Sequence, residues 1–131
     1  MSDQKKRILV VEDEQALLAT LHDELVEGGF SMEPAITGEE ALRKCEELLP
    51  DAILLDLLLP GSLNGIGVLE RLKKSERTKR VPVVILSNVG EEEIVRRALD
   101  LGAVGYFMKT RHNLLNLLAR IREVLTAATA D

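Results

Sequence analysis

Short unbroken apolar runs alternate along this chain with longer stretches in which apolar residues recur every three or four positions. Residues 7–12 (RILVVE), 52–55 (AILL) and 81–87 (VPVVILS) are runs without polar alternation. That is the pattern of strands covered on both faces, although a buried helix turn also fits the four residues 52–55 taken alone. Residues 30–35 alternate loosely and predict a weaker strand at a sheet edge, and 105–109 a short fifth strand. Between the runs the period lengthens. Leu17, Leu18, Leu21 and Leu25 mark a helix over 14–27, stopped by Gly28-Gly29. Thr37-Gly38-Glu39-Glu40 is a capping box that opens a helix to about Leu49, and Pro50-Asp51 breaks it. Further helices are predicted over 66–75, 91–101 and 111–126, the second with three acids in its first turn and Gly102 at its end. Five strands alternating with five helices predict an α/β fold, a doubly wound parallel sheet with helices on both faces.

Composition narrows the class. A chain of 131 residues predicts one domain, with its core over about 6–126 and no output domain. The net charge of -5 argues against a nucleic-acid surface, and the basic clusters at 5–7 and 73–80 are interleaved with acids. The single Cys45 excludes an internal disulfide and reads as a small, partly buried side chain. No apolar stretch reaches the roughly 18–20 residues that span a membrane, and no signal peptide precedes the first strand, so a cytoplasmic location is expected.

The chemistry collects where the strands end. Asp56 closes the apolar run at 52–55 and is followed by Leu57-Leu58-Leu59-Pro60-Gly61. A carboxylate so placed must be paired, solvated at an edge or bound to a cation, and a turn or helix-cap role is open to it as well. Ligands of doubly wound sheets sit beyond the carboxyl ends of the strands. There the first strand ends in Glu12-Asp13, the third in Asp56, the fourth in Ser87 and the fifth in Lys109. Asp51 falls at the opposite end of the third strand, about 17 Å away at roughly 3.3 Å per residue. If the first and third strands are neighbours, three carboxylates meet, and each raises the others' pKa unless a cation neutralises them. All-oxygen ligands point to a hard ion such as Mg²⁺ that completes its shell with water and phosphate. A lysine and a hydroxyl facing the same place would contact the anion held by that ion. The expectation is a metal-assisted phosphoryl site.

Glu12-Asp13, Asp56 within LLDLLLPG, Ser87 at the end of VVILS, and Tyr106 three residues before Lys109 together resemble the response regulator receiver domains. The similarity runs over almost the whole chain, and in extent the chain is similar to the chemotaxis response regulator. The resemblance implies a flavodoxin-like sheet in the order 2-1-3-4-5 with five helices. It implies that Asp56 is the phosphoacceptor for a histidine kinase or phosphotransfer protein. It also implies that Asp13, Asp56 and the Leu58 backbone carbonyl ligate Mg²⁺, with Glu12 acting through water. Lys109 would pair with a phosphoryl oxygen, Ser87 would close onto it, and Tyr106 would turn inward behind it. The surface so altered is that of the fourth helix, fifth strand and fifth helix, where an unknown downstream protein or a second copy of the chain would dock. The chain would be a signalling phosphoacceptor, not an enzyme, with no nucleic-acid or membrane partner.

Three positions depart from the family pattern. Thr110 stands where proline usually follows the lysine, often in a cis peptide. Asn88 replaces a small residue, and either crowds the site or offers its amide to the phosphoryl group. The loop after Asp56 is one residue longer than the common form. Leu58 and Val89 flank the line of attack on a phosphoaspartate, and neither can orient a water, which predicts slow self-dephosphorylation. A stripe of Leu114, Leu118, Ile121 and Leu125, widened by Leu117 and Val124, is expected on the last helix.

Two other readings use parts of the same pattern. A non-phosphorylated interaction module of the same fold would be favoured by loss of Glu12, Asp13, Asp56 or Lys109, and all four are present. A phosphatase of the haloacid dehalogenase kind needs a second acid two residues after its nucleophile, where this chain has Leu58. No glycine-rich phosphate loop follows any strand.

Overall fold

In the computed structural model, residues 5–88, 90–109 and 116–129 are described. The apolar runs become strands β1 (Arg7–Val11), β3 (Ala52–Asp56) and β4 (Val83–Ser87), joined by β2 (Ser31–Ala35) and β5 (Gly105–Met108). All pairings are parallel, in the order β2-β1-β3-β4-β5. Every residue of β3 and β4 is buried, as two-sided coverage of an unbroken apolar run requires. The loosely alternating β2 lies at an edge, where Pro34 is tolerated because the edge needs fewer backbone donors.

Helices α1 (Gln15–Glu27), α2 (Gly38–Leu48), α3 (Gly65–Lys74), α4 (Glu92–Asp100) and α5 (Leu117–Thr129) cover the two faces. Successive strand residues point to opposite sides, and the core divides accordingly. Leu9, Val11, Ile53, Leu55, Val83 and Ile85 pack with α2, α3 and α4. Ile8, Val10, Leu54, Val84 and Leu86 pack with α1 and α5. Cys45 belongs to the first layer and is completely buried, deeper than its sequence position predicts.

The helix ends follow local chemistry. The Thr37 hydroxyl accepts from the Glu40 backbone N–H at 3.1 Å, and Glu40 Oε1 accepts from the Ile36 N–H at 2.7 Å. The box thus reaches one residue further back than the usual arrangement. Asn64 caps α3 by accepting from the Gly67 N–H at 3.0 Å.

The stripe on α5 differs from the one expected. Leu117, Ile121 and Val124 are buried, while Leu118 and Leu125 pack against that core only in part. Both sets share Ile121 and both satisfy a helical period, so periodicity alone places the centre of an apolar arc only to within one residue. Packing against the apolar face of the sheet, β3 above all, decides it. Leu114 and the predicted helix start at 111 lie outside the described residues.

Candidate functional site at the carboxyl ends of the strands

Val11 pairs with Leu55, so the residues that follow, Glu12 and Asp56, leave the sheet side by side. The Glu12 N–H donates to the Ala35 carbonyl at 2.9 Å, which fixes its backbone to the edge strand. Its Oε2 accepts from the Glu14 N–H at 3.0 Å. Asp56 Oδ1 accepts from the Leu58 N–H at 3.1 Å, the turn role open to it from sequence. Ligand oxygens of Glu12, Asp13 and Asp56 all lie within 4.8 Å of one another. Glu12 and Asp56 are buried, and Asp13 is exposed at the rim.

Lys109 comes from β5, two strands from β3 and so roughly 10 Å away across the sheet. Its N–H donates to the Ser87 carbonyl at 2.8 Å, which extends the pairing one residue past β5. The long side chain then reaches back over β4. Its Nζ lies 2.8 Å from Glu12 Oε1 and 2.9 Å from Asp56 Oδ2, and only 10% of the side chain is exposed. One ammonium against three carboxylates leaves the cluster two negative charges in excess. Burial pushes the carboxyls of both Glu12 and Asp56 above their ordinary range, against the opposing pull of Lys109. Burial also disfavours the Lys109 ammonium, but its bonds to Glu12 and Asp56 outweigh this and hold its pKa above the usual lysine value.

These residues fit a hard divalent cation. The donors are all oxygens, and the charge excess matches a dication. Glu12 Oε1 is fully buried and, although ion-paired with Lys109, has no partner in hydrogen-bonding direction. Such an atom gains from any further positive charge brought beside it.

The β4 and β5 residues are arranged differently. The Ser87 hydroxyl is buried and aimed at the Phe107 carbonyl, 3.5 Å away. Tyr106 is 51% exposed. Asn88 is bonded to the start of the fourth helical segment. Its backbone N–H and its Nδ2 donate to the Glu91 carboxylate at 3.0 and 3.3 Å. Leu58 carries its side chain outward, 54% exposed. Val89 and Thr110, and with them the geometry of the bond after Lys109, lie outside the described residues.

Asp51 lies at the far end of β3 as expected, accepting from the Arg7 N–H at 2.7 Å. Two contributors were not legible beforehand. A Cβ on Gly65 would meet the Asp56 carbonyl oxygen at 2.4 Å, so only glycine lets α3 start against the backbone of Asp56. The only sequence signal was a glycine directly after the capping Asn64. Glu91 reads from sequence as one more acid in a helical first turn, yet its carboxylate turns back to Asn88.

A sequence model of the response regulator receiver domain matches residues 8–122. The chain is 38% identical over 125 residues to the phosphate regulon transcriptional regulatory protein PhoB of Rhizobium meliloti, covering 95% of this chain and 54% of that protein. It is 39% identical over 120 residues to PhoB of Escherichia coli, covering 92% and 52%. The chain therefore spans about half the length of these curated relatives. Among solved structures, a putative response regulator from Chloroflexus aurantiacus superposes with a TM-score of 0.87 at 28% identity, covering 94% of this chain and 99% of that one. A CheY-like receiver domain protein from Methanospirillum hungatei gives 0.86 at 30% identity, covering 95% and 97%.

Proposed function

The chain belongs to the response regulator receiver domain family, and from that premise we propose that it takes a phosphoryl group on Asp56 from a histidine kinase or phosphotransfer protein. An Asp56 carboxylate oxygen bonds to phosphorus as the bond from phosphorus to the donor nitrogen breaks. The departing imidazole nitrogen takes up a proton, and an acyl phosphate remains on the chain. Lys109 carries the proposal. Its ammonium, 2.9 Å from Asp56 Oδ2, stands where negative charge on the transferring oxygens must be met. Asp13, Asp56 and the Leu58 carbonyl would hold Mg²⁺, with Glu12 acting through water. When bound, Mg²⁺ supplies charge neutralisation to the oxygens of the moving group. Glu12 keeps Lys109 in place, and the Leu58 N–H orients the attacking carboxylate.

The chain acts here as a phosphoacceptor and not as an enzyme turning over an external substrate. Leu58, two residues past Asp56, carries no acid to protonate a leaving alcohol. New charge on Asp56 draws Ser87 away from the Phe107 carbonyl, and Tyr106 follows. The α4–β5–α5 face changes with them and alters affinity for a downstream protein or a second copy of this chain. A cytoplasmic location accords with such partners, and among the described residues no helix is long and apolar enough to cross a membrane. Transcriptional regulation is what the names of these relatives state, and it is not carried over to this chain, which spans about half of their length.

The engagement of the Ser87 hydroxyl with the Phe107 carbonyl is the observation that favours a second reading, an interaction module that takes no phosphate. One experiment separates the two. Incubation with Mg²⁺ and acetyl phosphate or phosphoramidate, then with a panel of phosphorylated histidine kinases, should add one phosphate by intact mass, and Asp56→Asn should abolish the addition. No added mass with any donor would leave the second reading standing.

A further inference from the structure

At the opposite end of the sheet, beyond the amino ends of β4 and β5, lies a cavity of about 440 Å³. Nothing in phosphoryl transfer at Asp56 uses it. Its volume falls within the roughly 300–1,000 Å³ typical of small-ligand sites. Three cations line it, Lys73, Arg80 and Arg120, against one carboxylate among the described residues, Glu123. That makes a local charge of +2 on a chain whose net charge is -5. Pro82, Val104 and Val124 supply apolar walls.

Two of the cations are held in place. Lys73 Nζ donates to the Lys79 and Val81 carbonyls at 3.1 and 3.3 Å, so neutral oxygens tether it and leave its charge unbalanced. Burial lowers its pKa, as expected of an ammonium that a bound anion would relieve. Arg120 lies across β5 where Gly105 has no side chain, and a Cβ there would meet the guanidinium at 2.6 Å. Its contact with Glu123 is loose, at 3.6 Å, and Glu123 is mostly exposed.

We propose that this cavity binds a small organic anion, with a carboxylate or phosphate head set among Lys73, Arg80 and Arg120 and an apolar body against Pro82, Val104 and Val124. The charge excess selects an anion, the walls select one with an apolar part, and the volume selects a small molecule. A guanidinium favours two-oxygen heads, which carboxylates and phosphates share. Asp56 lies at the other end of the strands, so its carboxylate takes no direct part in binding here.

Backbone amide shifts of Val104, Gly105 and Val124 in the full chain provide the test, with benzoate, phenyl phosphate, inorganic phosphate and benzyl alcohol as probes. Benzoate or phenyl phosphate should shift these amides saturably, less so at high salt. Whichever binds more tightly identifies the head. Arg80→Gln, at an exposed side chain, should weaken binding about tenfold, and Lys73→Met should do so again. Asp56→Asn should bind like the parent chain. Benzyl alcohol binding as well as benzoate would overturn the anionic half of the proposal. Inorganic phosphate binding as well as phenyl phosphate would overturn the apolar half. No shift at about 10 mM of any probe would overturn the whole.

Discussion

On the β1–β3 side of the strand ends, oxygens of Glu12, Asp13 and Asp56 lie within 4.8 Å of one another, and Lys109 has crossed the sheet to meet two of them. On the β4–β5 side, Ser87 faces the Phe107 carbonyl, Asn88 is bonded to Glu91, and Tyr106 faces solvent. The two sides differ in the charge of their parts. Buried carboxylates are costly without a cation, which is why Lys109 is drawn across the sheet to Glu12 and Asp56. Ser87, Asn88 and Tyr106 are neutral and have local partners or water, and the proposed function has them respond only when charge appears at Asp56. In the proposed function the first side would act as the receptor, and the second would be the element whose equilibrium it biases.

Removing the cation that assembles the first side should have the largest effect. Lys109→Met leaves Glu12 and Asp56 buried without it and removes the ammonium nearest the transferring group. Phosphoryl uptake followed by intact mass should slow by roughly 10²–10³-fold, the scale seen when one preorganised charge donor is lost. Circular dichroism on the same samples establishes that the variant is folded. Uptake within about threefold of the parent chain would show that Lys109 is not the charge the transfer relies on.

Neutralising the other partner should do the reverse to stability. The carboxyl pKa values of Asp56 and Glu12 are raised chiefly by burial, so their folded-state charge costs stability. A raised carboxyl contributes stability that is present below its unfolded value and is lost as pH rises through the folded value. The cost is felt in full once pH has risen past the folded values of the two carboxyls. The raised pKa of Lys109 contributes fully there, since its loss begins only in the alkaline range. Asp56→Asn removes that cost and should therefore raise the urea midpoint of the metal-free chain at pH 7. The gain should vanish towards pH 4, and added Mg²⁺ should stabilise the parent chain but not the variant. A variant less stable than the parent at pH 7 would mean that the pairing of Asp56 with Lys109 outweighs burial.

These two sides were also unequally legible in the sequence. Glu12, Asp13, Asp56 and Lys109 each end an apolar run, and parallel packing alone brings such ends together. Strand count, sheet class and the end of the sheet at which these residues lie follow from that. The order of the sheet came from family resemblance, because apolar runs do not state which strand lies beside which. What stayed hidden depends on side-chain direction. Glu91 is indistinguishable in sequence from Glu92 and Glu93, yet it alone among the three turns back to Asn88. Leu117 and Leu118 are likewise one residue apart on one helical arc, and only contact with the sheet selects the buried one.

The smallest effect should come from loosening the β4–β5 side. Glu91 accepts from the Asn88 backbone N–H and from Asn88 Nδ2, and its own N–H donates to the Asn88 carbonyl at 3.3 Å. This clasp fixes the residue next to Ser87, and in the proposed function it would oppose the shift of Ser87 towards Asp56. At about 0.5–1.5 kcal/mol for each hydrogen bond, Asn88→Ala should favour the inward state by roughly 3–10-fold and Glu91→Ala by somewhat more. The readout is saturation with beryllofluoride, an acyl-phosphate mimic, followed by the fluorescence of Tyr106, the one tyrosine in a chain without tryptophan. Mg²⁺ affinity of the unphosphorylated chain should stay unchanged, because neither residue touches the carboxylate cluster. The double variant should gain less than the sum of the single gains, as two ends of one clasp must. If Asn88→Ala has no effect while Glu91→Gln matches Glu91→Ala, Glu91 acts through its charge alone, and the outward arrangement of Ser87 must be held by its bond to Phe107.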